Sequence, residues 1–143
     1  MKKLLLILFL IFLTSCSQTG TKNLALIRPQ LEAEANNKVF IYSQLGYYET
    51  LMNKFNIELN GYSIGKIGNN EIIIGDVKNG RNTLMVKGEV SPITGVMEDS
   101  NLYNFQNKSL ENRYFIITIN KKLLKGKIVL NEVTKQSFMK NLN

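Results

Sequence analysis

Between Lys38 and Val133 the chain is a series of short apolar runs separated by asparagine- and glycine-rich turns, a spacing that predicts β-strands rather than helices. Val39-Phe40-Ile41-Tyr42, branched and aromatic throughout, reads as the first strand. Phe55, Ile57 and Leu59 alternate with Asn56 and Glu58. Asn60-Gly61 is the favoured two-residue hairpin turn, because both positions need positive φ, so residues 55–67 read as a hairpin. Pairing across that turn sets Leu59 against Tyr62 and Ile57 against Ile64 on one face. Strict alternation would then turn Lys66 inward and Ile67 outward, which a bulge at Gly65 corrects, since one extra residue reverses the phase.

Glu71-Ile72-Ile73-Ile74 reads as a strand with apolar residues on both faces, either buried between two layers or at an edge covered by a loop. Asn79-Gly80 turns the chain into a strand over 82–87, with Asn82, Leu84 and Val86 sharing the inner face. Residues 88–112, polar and broken by Pro92 and Gly95, read as one long loop. Strands return at 113–120 and 127–133, joined by a turn that carries Lys121, Lys122 and Lys125. The tail after Val133 reads as a helical turn or two, docking through Phe138, Met139 and Leu142. Residues 46–53, with Tyr47 and Tyr48, read as a loop containing one helical turn. The expected fold class is all-β: an antiparallel β-sandwich of about seven strands over residues 38–143.

The first 37 residues follow a different pattern. Lys2 and Lys3, an uninterrupted apolar stretch over residues 4–13 and the small residues after it have the three-part layout of an export signal. The stretch is about half the roughly 20 apolar residues a bilayer span requires. Leu13-Thr14-Ser15-Cys16 resembles the lipobox of bacterial lipoproteins, in which a peptidase cuts before a cysteine whose sulfur carries diacylglycerol. That resemblance implies a signal peptide over 1–15, acylated Cys16 as the mature N-terminus and the lipid bilayer as a partner. Two or three acyl chains make release negligible where one gives marginal binding. Ser17 after the cysteine implies, in a diderm source, an outer-membrane protein facing the periplasm. Residues 16–37 read as a flexible tether with a brief helix led by Pro29; as free coil, roughly 20 residues would reach about 25 Å.

The strand region resembles small bacterial lipoproteins that carry a DUF2846-like sandwich domain of transthyretin or carboxypeptidase-regulatory type. Four stretches carry the resemblance: Val39-Phe40-Ile41-Tyr42, the Asn60-Gly61 turn with Ile64-Gly65-Lys66-Ile67, Gly80-Arg81-Asn82-Thr83-Leu84, and Tyr114-Phe115-Ile116-Ile117. The chain departs from that pattern at Asn79-Gly80-Arg81-Asn82, where the family tends to have Pro-Gly-x-His, and at Ser43, often arginine there. The resemblance implies a fold and leaves activity open, since the two are separable.

Composition narrows the chemistry. The 143 residues include no histidine and one cysteine, which removes the usual residues of zinc hydrolysis and of nucleophile-base pairs. With Cys16 acylated no disulfide can form, so the folded part stands on its core alone. Carboxylates remain as acid/base or calcium-binding groups, either Glu98 with Asp99 or Asp76 with Glu71, set against their ordinary role as solvated loop charges. No metal, cofactor or catalytic residue is expected. Loss of the signal removes Lys2 and Lys3 and lowers the formal charge from +7 to +5. Without an aromatic-basic motif, that mild charge does not point to nucleic acid.

Two binding readings follow. A non-catalytic interaction module would contact an envelope protein through the long loop, with Tyr103 and Phe105, and through the Tyr47-Tyr48 end. Alternatively, Lys121, Lys122, Lys125 and Lys127 would bind anionic glycan or lipid, each lysine near a lipid surface contributing about 1 kcal/mol. The same lysines also serve as a solvated turn that discourages edge-to-edge strand pairing.

Overall fold

The computed structural model describes residues 19–45, 54–88, 90–91, 95–122 and 125–142, and for 90, 91, 95, 96, 121 and 122 the backbone alone. The export signal, Cys16, and the loop with Tyr47 and Tyr48 lie outside the described residues. In chain order the elements are α1 (Leu24–Glu32), β1 (Lys38–Ser43), β2 (Phe55–Leu59), β3 (Tyr62–Ile67), β4 (Ile72–Asp76) and β5 (Gly80–Lys87). There follow β6 (Val90–Ser91), β7 (Gly95–Glu98), β8 (Tyr103–Asn107), β9 (Arg113–Lys122), β10 (Lys125–Val133) and α2 (Lys135–Asn141). A six-stranded sheet in the order β4-β1-β9-β10-β7-β6 packs on a four-stranded sheet in the order β3-β2-β5-β8. No helix among the described residues is long and apolar enough to cross a membrane.

Two cores follow from alternation along the same strands. Val39 and Ile41 of β1, Ile73 of β4, and Phe115 and Ile117 of β9 point between the sheets, where they meet Phe55, Ile57, Leu84, Val86 and Phe105. Their neighbours Phe40, Tyr42, Ile72, Ile74, Tyr114 and Ile116 point the other way and are covered by Ile27, Leu31 and Phe138 from the two helices. Of the two readings of residues 71–74, burial between two layers is the one met, one face by the opposite sheet and the other by helices. Phe138 is fully buried, with ring centroids 6.5 Å from Phe40, 6.3 Å from Tyr42 and 5.4 Å from Tyr114.

The hairpin forms about Asn60 (φ 54°) and Gly61 (φ 80°), with Leu59 opposite Tyr62. Its register shifts between Ile57 and Glu58, so Ile57 faces Gly65 rather than Ile64, and Tyr62 is exposed. The extra residue nevertheless restores the phase, leaving Ile67 buried and Lys66 exposed. Asn82 is buried beside Leu84 and Val86, and its amide locks the preceding turn by donating to the carbonyls of Lys78 (2.7 Å) and Gly80 (3.0 Å).

Several expectations are corrected. The described residues form ten strands rather than about seven, because 88–112 is not one loop: β6, β7 and β8 lie within it. The sheets are not purely antiparallel, since β1 runs parallel to β9 and β7 parallel to β10. Helix α1 starts at Leu24, where Asn23 caps it by accepting from the Ala25 N–H at 3.1 Å, so Pro29 sits inside the helix rather than in its first turn. Leu24, Ile27 and Leu31 supply an apolar stripe that outweighs the bond forfeited at Pro29. The sequence leaves open whether the segment before β1 docks or stays loose; its described part, from Thr19 through α1, is fastened to the domain.

Truncation of Phe138 to alanine should cost about 3–5 kcal/mol, the usual range for a buried phenylalanine. The check is urea unfolding, where the midpoint should fall with the slope unchanged.

Candidate functional site

Among the described residues, the outer face of the six-stranded sheet is covered over only part of its extent. Along β9 the outward positions read Tyr114 and Ile116, which lie under the helices, and then Thr118 and Asn120, which do not. The antiparallel register sets Val129 beside Thr118 and Lys127 beside Asn120 on that face, and pairs the backbone of Lys125 with that of Lys122. Parallel pairing with β7 brings Glu98 alongside Lys127. Gly126 and Ile128, at the intervening positions, are buried. The result is a polar, uncovered half-face containing a hollow of about 330 Å³ lined by Glu98, Asn120, Lys125, Gly126 and Lys127. A second hollow of about 280 Å³ lies between the start of β8 and β10, lined by Asn101, Tyr103 and residues 127–130.

Lys125 and Lys127 are exposed and have no ion-pair partner among the described residues. Four other described cations are engaged, while several more, Lys78 and Arg81 among them, are exposed and likewise have no ion pair among the described residues. Lys54 lies 3.2 Å from Glu71, Lys87 lies 3.3 Å from Asp99, Lys38 pairs with Asp76, and Arg113 binds Glu132 at 2.8 Å and Glu111 at 3.2 Å. An unpaired exposed ammonium keeps its full charge for an incoming anion, whereas a paired one must first give up its carboxylate.

The two aromatic candidates of the former loop are tied into the fold. Phe105 is buried in the inter-sheet core, its ring 5.6 Å from Phe115. Tyr103 meets Phe115 edge-on at 5.2 Å and donates its hydroxyl to Glu132 at 2.9 Å. Glu132 also accepts from Arg113, whose Nε donates to Asn107 at 3.4 Å, so edge strand β8 is fastened to β9 and β10 by a polar network. The hydrogen bond to Glu132, with burial and the Glu132 charge, raises the Tyr103 pKa above its ordinary value, against a lowering by Arg113. Burial raises Tyr42 and Tyr114 in the same direction.

The structure therefore brings Lys125 and Lys127 together with Asn120 and Glu98, and places Tyr103 at the neighbouring hollow. Lys121 and Lys122 stand on the same hairpin by register. The carboxylate pairs do not form reactive dyads. Glu71 lies before β4 and Asp76 at its far end, each held by a lysine. Asp99 accepts from the Gly88 N–H at 2.7 Å and faces Lys87. Asn120 was readable as a cross-strand neighbour of Lys127 once the hairpin was assumed, whereas the place of Glu98 depends on a parallel pairing with no local signature. Compared with protein-family models, with curated proteins and with solved structures, the chain finds no match.

Replacing Glu132 by glutamine should lower the Tyr103 pKa toward the ordinary tyrosine value near 10, readable as phenolate absorbance in an alkaline titration. Because the folded-state pKa is raised, the stabilisation from Tyr103 is complete below about pH 10 and is lost as pH climbs through the folded value. The same substitution should cost about 1.5–3 kcal/mol near neutral pH, the usual range for a hydrogen bond to a charged group.

Proposed function

We propose that this protein is a lipid-anchored bacterial envelope module that works by binding rather than by catalysis, with the uncovered half-face around Lys125 and Lys127 as its contact surface for an anionic glycan or lipid. Acylation of Cys16 supplies the anchor, and in a diderm source Ser17 directs the protein to the periplasmic face of the outer membrane. The observation that carries the binding part is how these lysines are grouped. What sets these two exposed lysines apart is less the lack of an ion pair, which Lys78 and Arg81 share, than their grouping around one hollow beside Asn120 as a neutral hydrogen-bonding group. A protein-partner reading based on Tyr103 and Phe105 has less support, since Phe105 offers no surface and Tyr103 is committed to Glu132.

Membrane fractionation tests both parts. The native chain should stay with membranes through a high-salt wash, while a chain exported by an ordinary cleavable signal in place of residues 1–16, and so unacylated, should be released as salt rises, since screening shortens the reach of lysine-headgroup attraction. Adding Lys125→Gln and Lys127→Gln to the unacylated chain should weaken the residual association about 30-fold, from about 1 kcal/mol per lysine. Complete retention of the unacylated chain in high salt contradicts the anchor, and a salt response unchanged by the lysine substitutions contradicts the contact surface.

A further inference from the structure

The short segment ahead of α1 straddles the edges of both sheets. The Gly20 N–H donates to the Lys66 carbonyl of β3 at 2.8 Å, while Thr21 and Ile72, at the start of β4, exchange backbone hydrogen bonds at 2.9 and 2.8 Å. Thr19 bridges Lys66 in parallel and Thr21 bridges Ile72 in antiparallel sense, so residues 19–21 form a strap across the side of the sandwich where β3 and β4 would otherwise end openly. Its fit depends on glycine. A Cβ at Gly20 would lie 2.8 Å from Glu71 Oε2 and 3.0 Å from Glu71 Cβ. That carboxylate is held by the Gly68 N–H at 2.7 Å and by Lys54 at 3.2 Å.

The strap shortens the leash. Thr19 is three positions after Cys16, and three residue steps span at most about 11 Å, comparable to the Debye length of about 10 Å at 0.1 M salt.

Register gives the domain a direction. Ile72, bound by the strap, pairs with Tyr42, and Ser43 pairs with Ile117 of β9. From that level β9 runs on to Lys122, five residues further, or roughly 16 Å at strand rise. The strap and the Lys121–Lys122–Lys125 hairpin therefore belong to one end of the sandwich. The other end carries the Asn79-Gly80 turn, with exposed Lys78 and Arg81 beside the Lys38–Asp76 pair and Arg113 bound to Glu111 and Glu132, so the strap and its short leash, not charge alone, distinguish the two ends.

Resting on the proposed acylation of Cys16, we infer that the domain is held flush against the bilayer that contains its acyl chains, with the strap and the lysine hairpin facing the headgroups. The partner of the hairpin is then anionic lipid of that same membrane, and the Asn79-Gly80 end points away from it.

The test uses the acylated full chain in vesicles. With the Cys16 sulfur blocked by lipid, a single introduced cysteine carries a fluorophore, at exposed Gln44 (Gln44→Cys) at the strap end or at exposed Asn79 (Asn79→Cys) at the far end. Vesicles of phosphatidylglycerol and phosphatidylcholine contain a lipid with a nitroxide on its headgroup. Quenching should be several-fold stronger at position 44 than at position 79, and the ratio should fall in vesicles of phosphatidylcholine alone. In Gly20→Leu, which displaces the strap, the ratio should fall toward one. Equal quenching at both positions, in protein whose intact mass shows the lipid on Cys16, overturns the orientation and leaves the anchor standing. A ratio identical in both lipids overturns the role of the lysines, and a ratio unchanged by Gly20→Leu overturns that of the strap. An unmodified Cys16 removes the anchor and the orientation together.

Discussion

Burial of three adjacent strands on both faces is the constraint from which the remaining architecture follows. β4, β1 and β9 carry large apolar side chains at successive positions, so a two-layer sandwich would leave Phe40, Tyr42, Ile72, Ile74, Tyr114 and Ile116 in water. At about 25 cal/mol per Å² of apolar surface, a third layer is needed, and α1 and α2 provide it. The limit of that layer is written into β9, whose outward residues change from Tyr114 and Ile116 to Thr118 and Asn120. The uncovered half-face thus begins where the second core stops, and the exposed lysines lie on the continuation of the strands that hold the core together.

The two ends of the sandwich are built from different chemistry. At the end carrying the Asn79-Gly80 turn, buried amides and ion pairs close the structure: Asn82 holds its turn, and Asn107 donates to the Asn37 side chain and to the carbonyls of Lys108 and Glu111. Arg113 ties three elements into one network with Glu132 and Tyr103. Such groups are costly if left unpaired, so a fully connected set is a rigid closure. The opposite end receives the chain from the strap and presents the lysine hairpin.

Much of the fold was legible because alternation and turn chemistry act locally. The Asn60-Gly61 hairpin, the inner face of Asn82, Leu84 and Val86, the two-sided burial of residues 71–74 and the docking of Phe138 all follow from period and side-chain type. What escaped depends on distant partners. β8 is an edge strand whose outward positions are Asn104 and Gln106, residues with weak strand preference, and only Tyr103 and Phe105 mark its inner face. Parallel pairing of β1 with β9 joins residues more than 70 positions apart and leaves no mark in either strand. Helix α1 was misplaced because Pro29 outweighed the cap at Asn23 in a local reading, whereas docking of Ile27 and Leu31 decides the outcome. Of the site, the lysines were visible as a cluster. Their grouping with Asn120 and Glu98 around one hollow became visible only once the pairing of β10 with β9 and β7 was in place.

The fold and the proposed function meet at the N-terminus: an acylated cysteine three residues from a strap across two sheet edges would couple the lipid directly to the folded domain. Everything said of the membrane depends on the chemistry at that one sulfur. The most direct measurement is therefore the mass of the N-terminal peptide from membrane-isolated protein. A peptide beginning at Cys16 and carrying diacylglycerol on sulfur is the expected result. An unmodified Cys16, or a mature chain that begins elsewhere, would contradict it.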